Sequence, residues 1–270
     1  MATTITSKTL TYRTNSTKQV RSAYQESTTP IANYFRATYG EEAASHTLGL
    51  LVPVMAWMTS SEEAMLAAIA KLTTERRESI EATAGKERRA EACRARMLPV
   101  RDTLKSFFGE KYAADLGFEG PLPDNPEAVV TLSTYVQSRV VEPPVPPCLI
   151  PSGALDPKVL VGSLADPTEA LKAALVKSAN EKKESDSAQI EKDRAVEQFD
   201  RSFKVAASLL STLLECAGET ERARRVRPST RRPGTTVAVA GDGSEATTSS
   251  ETTTTLASSD GDALTPPIDG

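Results

Sequence analysis

Apolar positions in this chain recur at helical spacing, in patches separated by charged stretches. Val196, Phe199, Phe203, Ala206, Leu210, Leu213 and Ala217 step by 3 and 4 in strict alternation, the pattern of one buried helix stripe. Leu171, Ala174 and Leu175 make a smaller patch upstream, and residues 180–194 between the two are almost entirely polar. Asp166-Pro167-Thr168-Glu169 reads as a start signal: an aspartate cap, proline at the first helical position and an acid placed for a capping box. No proline follows until Pro228. The spacing therefore predicts one helix over 166–227, a rod on the order of 80 Å long.

A second long stretch precedes it. Ala44, Leu48, Leu51, Met55 and Met58 step by 4 and 3 and predict a helix from Glu41. Pro53 interrupts its hydrogen bonding and crowds the carbonyl of Gly49. Ser60 with Glu63 reads as a capping box that opens a further helix to about Leu98, with Met65, Leu66, Ile69 and Leu72 at its apolar start. Charge dominates residues 75–96, Gly85 weakens the helix by roughly 1 kcal/mol relative to alanine, and Pro99 kinks or ends it. Leu104, Phe107, Phe108, Tyr112 and Leu116 form another patch up to Gly117. Each long segment is apolar at both ends and charged between. Laid antiparallel, they place Leu66 near Leu213 and Leu104 near Leu175, giving two packed ends and a wet waist.

Shorter elements complete the pattern. One helix is expected from Asn15 to about Ser27. Thr28-Thr29-Pro30 breaks it and restarts a second, which ends at Gly40. Asn125-Pro126 starts a helix to about Val140, and Asp156-Pro157 starts another turn. Four prolines within 143–147 enforce an extended conformation, read as a stiff crossover over 142–153 rather than as a docking peptide. The expected fold is thus all-α: an elongated antiparallel helical bundle with two long helices and a disordered C-terminal tail. Residues 1–15 are read as a flexible arm, 16–227 as the bundle, and 228–270 as a disordered Ser/Thr-rich acidic tail.

Composition narrows the function. Aromatic content is 5% and hydrophobic content 39%, with a single tryptophan, Trp57. That is lean for a compact globule and ordinary for a bundle with a narrow core. The net charge of −4 provides no global attraction to nucleic acid or acidic membranes. Cys93, Cys148 and Cys216 are dispersed, without CxxC spacing, which argues for a reducing compartment. The N-terminal stretch has no apolar core of signal-peptide length. The longest near-apolar run, Leu48 to Met58, is 11 residues, where a membrane span needs about 20. A cytoplasmic location is expected.

No catalytic constellation stands out, and the chain reads as a non-enzyme. There is no glycine-rich phosphate loop, no GxSxG and no paired Cys/His ligand set. His46 is the only histidine. The Glu-x-x-His pairs that build carboxylate metal sites in bundles are missing, so neither metal nor cofactor is expected, and no small-molecule substrate suggests itself. The sharpest local feature is a run of arginines, Arg222, Arg224, Arg225, Arg227, Arg231 and Arg232, with no acid among them. Such a cluster can grip phosphates as bidentate forks or complement the dipole at a helix C-terminus. The expectation is a helical scaffold or protein-interaction protein, self-associating or bound to a protein partner. Its packing seam is Val196, Phe199, Phe203, Leu210 and Leu213, satisfied in cis or by a second copy. The alternative is an anion- or nucleic-acid-binding protein that uses the arginine cluster, disfavoured by the acidic net charge and the acidic tail.

Overall fold

Glycines with positive φ, Gly40, Gly109, Gly117 and Gly218, stand at the ends of four helices. In the computed structural model, which describes residues 7–140, 145–149 and 155–237, α1 spans Ser7–Tyr39 and α2 spans Glu41–Phe108, 68 residues, or about 100 Å. α3 (Glu110–Asp115), α4 (Pro126–Arg139) and α5 (Pro157–Gly162) are short. α6 covers Ala165–Cys216, 52 residues, and α7 covers Thr220–Val226. The described residues contain no strand, only an antiparallel bridge between Pro228 and Thr236.

None of the three prolines expected to break or disturb a helix ends one. Pro30 lies inside α1, and Pro53 and Pro99 lie inside α2. Pro53 and Pro99 are both solvent-exposed, where water can reach the carbonyls that lose their amide partners. Ser60 and Glu63 likewise sit within α2 and cap nothing. Ser61 and Glu62 are buried there, and Glu62 accepts a hydrogen bond from Arg21 of α1 at 2.6 Å.

The opposite error occurs at the C-terminal end of α6. The helix stops at Cys216 because Gly218, at φ 79°, takes the left-handed conformation that an L side chain resists. The Gly218 amide donates to the Glu215 carbonyl at 3.1 Å, and the Glu219 amide donates to the Leu214 carbonyl at 2.8 Å, which is the paired closure of a Schellman motif. The chain reverses there. α7 runs back along α6, and Ser211 Oγ donates to the Ala223 carbonyl at 3.1 Å. The continuous helix expected over 166–227 is therefore two. Its expected start is also shifted: α6 begins on Leu164, whose helical backbone leaves Asp166 inside the first turn with no capping bond. Asn125 and Asp156 do cap, accepting from the amides of Glu127 and Lys158.

α2 and α6 lie antiparallel, but in a different register from the expected one. Lys71 pairs with Glu191 at 2.6 Å, and Arg76 donates to Gln189 Oε1 at 2.8 Å. The expected alignment of Leu66 with Leu213 is wrong by about four turns. The reason lies at the N-terminal end of α2. Its first quarter, expected as a separate helix, is part of the same rod, and its larger apolar residues claim the far half of α6.

Two cores result. In the first, Leu51, Met55, Met58 and Met65 of α2 pack with Val196 to Leu214 of α6, Val20 and Ile31 of α1, and Ala223 and Val226 of α7. In the second, Ala90 to Phe108 of α2 pack with α3, α4, α5 and Leu171. A fully buried leucine or phenylalanine stabilises by roughly 1.5–3 kcal/mol, and both clusters hold several. Between them the helices touch through small side chains, Ala82 and Ala188, and most of their charged residues face solvent, Lys192 being the buried exception. The proline-rich crossover falls mostly outside the described residues. Within its described part, the Leu149 amide donates to the Phe107 carbonyl at 2.8 Å. No helix is long and apolar enough to cross a membrane among the described residues.

Candidate functional site

The arginine run is carried by α7 and by the segment that follows it. Its arginines meet acids that precede them in sequence, two of them one helical turn away and one, Glu215, brought close because α7 folds back on α6. Arg222 pairs with Glu219 at 3.5 Å, Arg224 with Glu221 at 3.4 Å, and Arg227 with Glu215 of α6. Exposed pairs of this kind contribute only about 0–1 kcal/mol each, but they lower the net positive potential of the patch. The Arg232 guanidinium lies 5.8 Å from the centroid of the Tyr12 ring, within cation–π range. Arg225 and Arg231 are exposed. The structure thus brings five of these side chains onto or beside acids, an aromatic ring or the α7 surface.

The segment after α7, expected to belong to a disordered tail, is instead tied to α1 as far as Val237. Thr236 donates its amide to Ser16 Oγ at 3.1 Å and its hydroxyl to Gln19 Oε1 at 2.9 Å. Residues 238–270 of the expected tail lie outside the described residues. The expected N-terminal arm behaves similarly. From Ser7 onward it is helix, and within it Arg13 is 4% exposed. Arg13 donates through Nε and Nη2 to the two carboxylate oxygens of Asp200 at 3.0 and 2.6 Å. Burial pushes the Asp200 carboxyl above its ordinary range, against the opposing pull of the Arg13 guanidinium. Gly234 covers the pair: a Cβ there would stand 2.8 Å from Arg13 Nε and 2.9 Å from the Phe199 ring. Sequence reading missed this cluster because its partners are nearly two hundred residues apart. The only local signal was an arginine on the face that also carries the buried Thr17 and Val20.

The seam residues Val196, Phe199, Phe203 and Leu210 are at most 5% exposed, and Leu213 is half-buried at the edge of the same cluster. The seam is closed within the chain and is not available to a second copy.

Two polar groupings were not singled out from sequence. Ser133 Oγ and Thr168 Oγ1 lie 2.6 Å apart inside the second core. Gln137 Nε2 donates to both, at 3.2 and 3.1 Å. Burial raises the Cys93 thiol, which hydrogen bonds from Thr168 and Ser133 partly offset. At the waist, oxygens of Glu75, Glu78 and Glu181 lie within 4.8 Å of one another. Carboxylate oxygens suit hard divalent cations. Here the three side chains are exposed or half-exposed, and Lys71, raised chiefly by Glu191, supplies nearby positive charge to Glu75. His46 lies exposed on α2, away from all of these. No protein-family model matches the sequence, and comparisons with curated proteins and with solved structures find no match.

Proposed function

We propose that the protein is a non-enzymatic, cytoplasmic helical scaffold that works by protein–protein contact. The observation that carries this reading is the first part of α2. From Ala43 to Ser61 the chain has no Asp, Glu, Lys or Arg, yet this helix stretch is buried on one side only, and Leu50, Val52 and Trp57 are 56, 52 and 38% exposed. A helix that is uncharged all round is normally covered all round. In a chain otherwise rich in charge, an open apolar helix face marks an interaction surface. The non-enzymatic reading is supported by the charged residues of the described part, most of which lie on exposed helix faces. The cytoplasmic placement rests on the dispersed cysteines, all free.

The second reading, an anion-binding patch, is favoured by one observation: Arg224 and Arg225 are adjacent, exposed and at the end of a helix. Size-exclusion chromatography with light scattering, in low and high salt and read at 260 and 280 nm, separates the two. A mass above one chain without nucleic-acid absorbance is expected. A single chain that carries nucleic acid at low salt and sheds it at high salt overturns the scaffold reading, provided that replacing Arg224, Arg225 and Arg227 with glutamine abolishes the binding.

A further inference from the structure

We propose that α2 carries a second, outward-facing seam, and that its occupant is the same seam of a second copy of this chain, packed antiparallel. The proposal rests on the scaffold reading and names its partner.

Leu50, Pro53, Trp57, Ser60, Ala64 and Ala67 step by 3 and 4 in strict alternation, the spacing of a coiled-coil stripe. All six are exposed. The inward stripe of the same helix, Leu51, Met58, Met65 and Leu72, is closed by α6. A third side meets α1 through the Arg21–Glu62 bond. The outward stripe is therefore a second heptad pattern on a helix whose first is already satisfied, and neither neighbouring helix covers it.

Side-chain size dictates the direction of pairing. The large residues, Leu50, Pro53 and Trp57, occupy the N-terminal half of the stripe, and the small ones, Ser60, Ala64 and Ala67, occupy the C-terminal half. A twofold axis between Trp57 and Ser60 sets Trp57 on Ser60, Pro53 on Ala64 and Leu50 on Ala67, and repeats all three contacts by symmetry. Each knob then meets a small residue that leaves room for it. Parallel pairing would set Trp57 on Trp57 and alanine on alanine, crowding one end and leaving the other hollow.

Charge agrees with the antiparallel solution. Flanking the stripe on one edge, Glu42 of one copy comes opposite Arg77 of the other, twice. Both residues are exposed, and neither forms an ion pair within its own chain among the described residues. In a parallel pair Glu42 and Arg77 lie at opposite ends of the interface and cannot meet. A single helix pair buries less than the roughly 1,600 Å² of a standard interface, so the dimer is expected to form and dissociate with concentration.

Sedimentation velocity of the full chain over a concentration series tests this, alongside the emission of Trp57, the only tryptophan. A monomer–dimer transition is expected, with a blue shift of the emission in step with it. Leu50→Glu should weaken the dimer at least about tenfold with unchanged helical circular dichroism, since the residue is exposed. Glu42→Arg and Arg77→Glu should each weaken it by about fivefold, and the double exchange should restore it. Within one chain these residues are separated by on the order of 50 Å of helix, several screening lengths at physiological salt, so rescue can arise only between copies. A chain that stays monomeric near millimolar concentration overturns the seam. A dimer indifferent to Leu50→Glu, or one not rescued by the double exchange, also overturns it, while leaving the broader scaffold reading standing on another surface.

Discussion

Arg13 and Asp200 form a two-point ion pair across 187 residues of sequence, with Arg13 Nε and Nη2 at 3.0 and 2.6 Å from the two carboxylate oxygens. The pair joins α1 to α6, and Gly234 from the returning chain closes over it. Three distant stretches thus meet at one charge pair, of which the arginine is 4% and the aspartate 20% exposed. Removing one partner of such a pair leaves a largely desolvated charge. Arg13→Met is expected to cost about 2–3 kcal/mol in urea unfolding.

The glycine over that pair gives a more local test. Gly234 has φ 71°, and an added Cβ would collide with Asp200 and Arg13. Gly234→Ala should lift the 228–237 segment while leaving the helices intact. The readout is faster tryptic cleavage after Arg231 with unchanged helical circular dichroism. Cleavage at the wild-type rate would mean that the segment is not held down at this point.

The α6 seam predicts stability rather than assembly. Phe203 and Leu210 are fully buried in cis. Phe203→Ala is expected to cost about 3–5 kcal/mol, and Leu210→Glu, which buries an unpaired carboxylate, should leave little folded chain at ambient temperature. A folded Leu210→Glu protein of altered mass would contradict the burial of this seam.

In the second core, Thr168 serves Ser133 and Gln137 at once. Thr168→Val keeps the shape and takes one hydrogen bond from each partner, leaving only the Gln137–Ser133 bond between them, at about 1–3 kcal/mol. Adding Ser133→Ala should cost less than the sum of the two single changes, because a neighbour that loses a bond to the first is removed by the second. Additive losses measured in a double-mutant cycle would show that the two hydroxyls do not act as a unit.

At the waist, Gly85 is helical and has nothing within 4 Å of where a Cβ would stand. Gly85→Ala should stabilise by about 1 kcal/mol, read as a higher urea midpoint with an unchanged slope.

The local pattern of residues determined a large share of this architecture. Apolar spacing of 3 and 4 marked the helices, Asn125 and Asp156 marked two starts, and the charged stretches marked the waist between two cores. These follow from backbone and near-neighbour physics, which a sequence carries directly. Local signals failed where neighbours outweighed them. Pro53 and Pro99 read as interruptions, yet on an exposed helix face the lost hydrogen bonds are answered by water while the opposite face stays packed. Gly218, which lies within the rod expected over 166–227, reversed the chain and carried α7 back onto α6. Register was undetermined by sequence, because two segments with apolar ends and charged middles align almost equally well several turns apart. The bulk of Leu51 to Met65 against Phe199 and Phe203 decided it. Only the tertiary structure could show that the strongest stripe, Val196 to Leu210, is consumed within the chain, while the weaker one around Trp57 is left open. Which of two stripes a helix buries depends on where the rest of the chain comes to lie, and that is a property of long-range packing alone.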